Sequence, residues 1–344
     1  MPSPSSRHPT LRSYRPIVAR LLALAVPLAF GACGGDDSPL APTDPSPAPA
    51  PAEQTLAPAE QVAAPDLALA TTGQRILFSS ARQGGYDLFK MDPQGYNVVR
   101  LTSFGYYASE PAWSYDNKRI AMIRPRRDGA NVEHSDIYLM NADGTNKHWA
   151  RSQPSVFDIR YPSWSRDGVH LAVAVFFGGK PYLATIDVTN GNMAFVLFNG
   201  KVIQGNYPSY EPAGKRILYI NATGKRIEMI DPVANTAYWM VQSETIMSSP
   251  RLSPDGTRIA FAKLVGVNID VYVKELWGGG VLRRLTTHSA WDGAPTWSPD
   301  GAKIAFESDR TGKSQVWVMS AATGGSLTRI THTATAEKYP AWSH

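Results

Sequence analysis

Residue types able to do chemistry are sparse along this chain. Seven histidines run from His8 to His344 with no close pair. Two of them, in Leu285-Thr-Thr-His288 and Ile330-Thr-His332, fall at matching points of a repeat. Each precedes an acid, Asp292 or Glu337, that stands three residues before a proline. Imidazoles and carboxylates that converge could hold a metal ion or share acid–base work. These four are therefore the members of any metal-dependent lyase or hydrolase site for a glycan. Repeat positions also reach one face without a common task, and neither a metal nor another cofactor is expected. No Gly-x-Ser-x-Gly elbow occurs, so serine-hydrolase chemistry has no nucleophile motif. The richer signal is aromatic. The same stretches carry Phe104, Tyr106, Tyr107 and Glu110; Phe157, Asp158, Arg160 and Tyr161; Asn206 and Tyr207; Trp291 and Asp292; and Glu337, Lys338 and Tyr339. Aromatics with arginine are enriched at interface hot spots. The expected partner-binding residues are Tyr106, Tyr107, Glu110, Arg160, Tyr161, Tyr207, Trp291, Asp292, Glu337 and Tyr339, in loops of one face. Tyr161, Tyr207 and Tyr339 directly precede prolines, where each could equally shield the strand that follows.

Those stretches sit between the copies of a repeat. It reads Pro111-Ala-Trp113, Pro162-Ser-Trp164, Pro208-Ser-Tyr210, Pro250-Arg-Leu252, Pro295-Thr-Trp297 and Pro340-Ala-Trp342, spaced by 51, 46, 42, 45 and 45 residues. A polar turn follows, as in Ser298-Pro-Asp300-Gly301, and then a short apolar run such as Lys303-Ile-Ala-Phe-Glu307. A third run (Asp136-Ile-Tyr-Leu-Met140) and a fourth (Leu282-Arg-Arg-Leu-Thr286) complete the unit. Short β-branched and aromatic runs between turn residues are strand chemistry, and strand-rich periods of about 40–50 residues signal a propeller. The array begins at a second strand near Arg75 and stops after a first strand, Pro340–Ser343. The expectation is an all-β, six-bladed propeller of four-stranded blades, closed by the C-terminal strand completing the N-terminal blade. The tryptophans are expected to pack between blades.

The formal charge of +5 misleads about partners. Residues 1–32 hold Arg7, Arg12, Arg15 and Arg20 and no acid, leaving 30 basic against 29 acidic residues in the rest. Arg124, Arg126 and Arg127 cluster alone, in what reads as a solvated Pro/Gly/Asp loop. No nucleic-acid partner is expected, and the propeller is expected to be a monomer. Residues 17–30 are apolar apart from Arg20, too short for a comfortable span and suited to a signal peptide. Gly31-Ala32-Cys33 follows, carrying the single cysteine. This resembles the lipobox of bacterial lipoproteins, with Phe30 where that family usually has Leu. The resemblance implies lipidation of Cys33, a membrane contact through that lipid, and a periplasmic-side envelope location. Gly34 after the cysteine favours the outer membrane. Residues 34–65 hold eight prolines and read as an extended, disordered tether. At ~3.1 Å per residue it reaches up to roughly 100 Å. The expected divisions are a signal peptide over 1–32, a lipidated cysteine and linker over 33–71, and the propeller over 72–344.

Pro-x-Trp-Ser-Pro-Asp-Gly-x-x-Ile-Ala-Phe, followed by a Ser-Asp-Arg-x-Gly turn, spans Pro295–Gly312. It resembles the WD40-like repeat of the TolB family, periplasmic components of the Tol–Pal system, over about 270 of the 344 residues. That family carries an α/β domain before its propeller, where this chain has its proline-rich segment. The resemblance implies a non-enzymatic scaffold that binds an envelope protein or peptide. Similar repeats occur in peptidase-linked propellers and in propeller lyases, so the enzyme reading stays open as the alternative.

Overall fold

A computed structural model describes residues 73–344 except Tyr106 and residues 277–279. The signal sequence, Cys33 and the linker lie outside the described residues, as does Tyr106. Six four-stranded antiparallel sheets form the blades of a propeller. Blade two is representative, with strands Ser109–Trp113, Arg119–Arg127, Glu133–Asn141 and His148–Trp149 in sequence order. Blade one is composite. Glu337–Trp342 is its first strand and pairs with Ile76–Ser80, ahead of Asp87–Met91 and Val99–Arg100. The first strands of neighbouring blades pack on one another, and contact between Glu337–Trp342 and Ser109–Trp113 closes the ring. These six are the inner strands.

The core is divided into six apolar clusters, one between each pair of adjacent blades. A sheet buried on both faces needs apolar side chains on both, which explains uninterrupted runs such as Ile76-Leu77-Phe78, all fully buried. Trp113, Trp164, Trp297 and Trp342 are each no more than 6% exposed. Three of their indoles donate to the preceding blade: Trp113 Nε1 to the Ala341 carbonyl at 3.2 Å, Trp164 Nε1 to Ala112 at 3.2 Å and Trp297 Nε1 to Arg251 at 3.0 Å. Trp342 instead donates to Gln74 Oε1 at 3.3 Å. The arginines that start second strands finish two of these joints. Arg119 and Arg258 lie 4.7 Å above the rings of Trp164 and Trp297, and they donate to the Gly168 and Gly301 carbonyls of the next blade.

Three features depart from expectation. Arg124, Arg126 and Arg127 end the nine-residue strand Arg119–Arg127 instead of lying in a solvated loop. Aromatic surface draws two of them in: Arg124 stands 4.0 Å from the Phe104 ring centroid, and Arg126 stands 4.7 Å from that of Trp149. Phe104 itself packs on the core and meets Tyr138 edge-on. Finally, a hairpin of Leu197–Phe198 with Lys201–Val202 is inserted between blades three and four.

Candidate functional site

Every inner strand carries the same irregularity. Its pairing with the second strand slips across the residue before the proline. That residue has a positive φ in all six blades: Glu110 52°, Tyr161 57°, Tyr207 51°, Ser249 50°, Ala294 48° and Tyr339 53°. Left-handed backbone is uncommon outside glycine, and a bulge that adopts it re-aims the side chain it carries. The repeat thus supplies six equivalent bulged positions on the inner strands. Blades one to four fill theirs with Tyr339, Glu110, Tyr161 and Tyr207; blades five and six place Ser249 and Ala294 there.

Glu110, Arg160, Tyr161, Tyr207, Asp292, Glu337 and Tyr339 are therefore inner-strand residues, not loop residues. Only Tyr107 and Trp291 of the described candidates lie in connecting segments. The bulge explains the discrepancy: the proline reads as the start of a strand in sequence, but here the strand begins earlier and continues across a bulge into it.

Five of the candidates form one cluster. Arg160 Nε donates to Glu110 Oε1 at 3.0 Å, and Arg160 Nη2 binds the same oxygen. Tyr161 N donates to Glu110 Oε2 at 2.9 Å. The Tyr161 and Tyr207 rings lie 4.2 Å apart with hydroxyls 3.5 Å from each other. Tyr107 OH is 3.5 Å from Arg160 Nη2, and its ring packs on Tyr86. Burial works against the Arg160 cation, but the Glu110 carboxylate more than offsets it and holds the guanidinium above its usual range. Burial first, then the neighbouring Tyr207 and Glu110, push the Tyr161 hydroxyl well up. Burial and Glu110 do the same to Tyr339, from blade one. These phenols stay protonated at neutral pH, available as hydrogen-bond donors.

Asp292 and Glu337 do something else. Both are completely buried. Arg310 Nη2 donates to both Asp292 oxygens at 2.9 Å, and Arg82 Nη2 lies 3.2 Å from Glu337. Each arginine also donates through Nε to the serine two residues earlier, Arg310 to Ser308 at 2.9 Å and Arg82 to Ser80 at 2.8 Å. The Ser-x-Arg turn and the inner-strand acid are one repeated ion pair joining first and second strands. These two acids therefore belong to the scaffold and present nothing to a partner. His288 and His332 are exposed. His288 accepts from Ala290 N at 3.0 Å, and His332 Nδ1 accepts from Arg329 Nε at 3.1 Å. With its carboxylates taken by arginines, the His/acid quartet does not assemble. Among the described residues no group of three or more His, Cys, Asp or Glu is placed to hold a metal ion.

Residues 230–344 match the TolB beta propeller domain family. The wheel is a TolB-type propeller. Over 127 residues it is 29% identical to the TolB homolog of Chlorobium chlorochromatii, covering 37% of this chain and 28% of that protein. Over 197 residues it is 27% identical to the Tol-Pal system protein TolB of Francisella tularensis subsp. mediasiatica, covering 55% and 43%. The similarity thus spans less than half the length of these curated relatives. The crystal structure of TolB from Acinetobacter baumannii superposes with a TM-score of 0.66 at 20% identity, over 79% of this chain and 67% of that one, a likeness of fold.

The sequence missed one component of this TolB-type ring. Arg251 stands directly after the repeat proline of blade five, where other blades have Ala, Ser or Thr. Comparison of that column was the signal that would have found it.

Proposed function

We propose that this chain is a non-enzymatic, lipid-anchored scaffold of the cell envelope, facing the periplasm, that binds a protein or peptide through the inner-ring cluster. The observation that carries this reading is the unequal filling of six equivalent positions. A scaffold needs the bulge in every blade, but it does not need Glu110, Tyr161, Tyr207 and Tyr339 there when Ser249 and Ala294 serve elsewhere. Half-buried tyrosines around a fixed Arg–Glu pair form a rigid surface with donors, the kind of patch that holds partners at low entropic cost. The relatives named for the Tol–Pal system support an envelope partner, and the lipobox-like Gly31-Ala32-Cys33 supports anchoring through Cys33. Tyr107→Ala and Tyr207→Ala test the surface. Site-directed crosslinking in the native envelope should show at least about tenfold less adduct with each, at an unchanged thermal midpoint. Equal adduct from stable variants would refute the binding surface. Cys33→Ser should move the protein from the membrane to the soluble fraction; retention on the membrane would refute the anchor.

A further inference from the structure

The residues following the six repeat prolines are Ala112, Ser163, Ser209, Arg251, Thr296 and Ala341. The small ones have visible structural uses. Ser163 Oγ accepts from Tyr210 N at 3.0 Å, and Thr296 Oγ1 accepts from Trp342 N at 3.3 Å, each tying an inner strand to the next blade. Arg251 contributes only its main chain to that joint, through the carbonyl that accepts from Trp297. Its side chain makes one hydrogen bond, Nη1 to the Pro250 carbonyl at 3.0 Å. Among the described residues no carboxylate forms an ion pair with it. Arg82, Arg160 and Arg310, also beside inner strands, all have carboxylate partners.

Arg251 is half-buried, and an arginine drawn partly out of water without a counter-charge is costly. Burial lowers its pKa to about 10, with the Glu110 carboxylate the only charge opposing the shift. Glu110 stands on the inner strand of blade two, three blades away around the ring from Arg251 on the inner strand of blade five. Glu110 cannot neutralise Arg251, because both its oxygens are engaged by Arg160 and the Tyr161 amide. The inner ring therefore holds, at Arg251, one positive charge with no carboxylate partner among the described residues.

We propose that Arg251 is an anion-binding residue of the inner ring, receiving a carboxylate of the bound peptide, either an acidic side chain or a free C-terminus. This rests on the peptide-binding reading above and gives it a ligand class. The guanidinium fork matches a carboxylate in two parallel hydrogen bonds. A single negative charge balances the site, whereas a phosphate dianion would add a second one facing Glu110.

The test follows the Arg251 Nε–H signal of the full chain by proton–nitrogen NMR, assigned by its loss in Arg251→Gln. The probes are Ac-Gly-Gly-Asp-Gly-NH2, Ac-Gly-Gly-Gly-Gly-OH, neutral Ac-Gly-Gly-Asn-Gly-NH2 and inorganic phosphate. A saturable shift with either carboxylate peptide, at least about tenfold tighter than with the Asn peptide, supports the proposal, and the better arm identifies the source. An unmoved signal, an equal response to the Asn peptide or tighter binding of phosphate overturns it. Arg251→Gln should also lower envelope crosslinking about tenfold, with Arg251→Lys retaining most of it. If Arg251→Gln crosslinks normally while Tyr207→Ala does not, the anion site fails and the binding surface stands. If neither variant changes the adduct, both fail.

Discussion

Asp300 illustrates how a single carboxylate serves the repeat. Its Oδ1 accepts from Ser298 Oγ at 2.5 Å and from Ala302 N at 2.9 Å, closing the turn between first and second strands. The Ser298 bond, then the Ala302 amide, hold its pKa below 3.8. The same serine-to-aspartate bond recurs at Ser114–Asp116, Ser165–Asp167 and Ser253–Asp255. There burial raises the acid, but hydrogen bonds outweigh it and the net shift is again downward. A carboxylate with a depressed native pKa adds stability that is fully present above its unfolded value and is lost as pH falls through the native one. The loss should therefore fall below pH 3.8. All four aspartates are exposed, so each effect is small. Replacing the four aspartates together by asparagine should narrow the gap between thermal midpoints measured at about pH 6 and about pH 3. An unchanged gap would show that these turns do not govern the acid limb.

At the scale of the element, the inner strand is held by its tryptophan. Trp164 is 5% exposed, donates to Ala112 and lies beneath Arg119. Trp164→Ala should destabilise the propeller by about 3–5 kcal/mol through the cavity alone. Trp164→Phe keeps most of the packing and should lose about 1–2 kcal/mol, mainly the unmet Ala112 carbonyl. Denaturant titration separates the two, and a Trp164→Phe variant as stable as the parent would mean the indole hydrogen bond carries nothing. These joints were legible in sequence because large aromatics recur at a fixed offset from proline. The Ser-x-Arg ion pairs were half legible: Ser308-Asp-Arg310 read as a turn, while its acid, Asp292, lies 18 residues upstream of Arg310 and read as part of a surface. The bulge was not legible. Glutamate, tyrosine, serine and alanine share no preference for positive φ, so only the pairing slip reveals it. Local residue types could not show that Glu110 and Arg251 stand on inner strands three blades apart in one ring, since that depends on the ring closing.

Closure itself is a property of the whole molecule and depends on one strand. Glu337–Trp342 pairs with Ile76–Ser80, and Ser343 N donates to the Arg75 carbonyl at 2.8 Å while Arg75 N donates to Ser343 Oγ at 2.9 Å. The same segment joins both neighbours: Trp113 Nε1 donates to Ala341, and Trp342 N donates to Thr296. Deleting residues 337–344 would open an unpaired edge along Ile76–Ser80, a strand buried at every residue. It would also remove the Glu337 partner of Arg82. An exposed apolar edge invites pairing with other chains. The truncated protein should therefore self-associate on size exclusion and unfold at lower denaturant, with a broader transition. A synthetic peptide of residues 335–344, added in excess, should restore a monomer by refilling the first-strand position of blade one. The axial cluster gives this experiment a second readout, because Tyr339 reaches Glu110 and Arg160 only when the last strand is seated. Peptide that restores the monomer should also restore crosslinking to envelope partners, and the same peptide carrying Tyr339→Ala should restore the monomer alone. A truncated chain that stays monomeric at the original midpoint would mean that closure is not what holds the wheel.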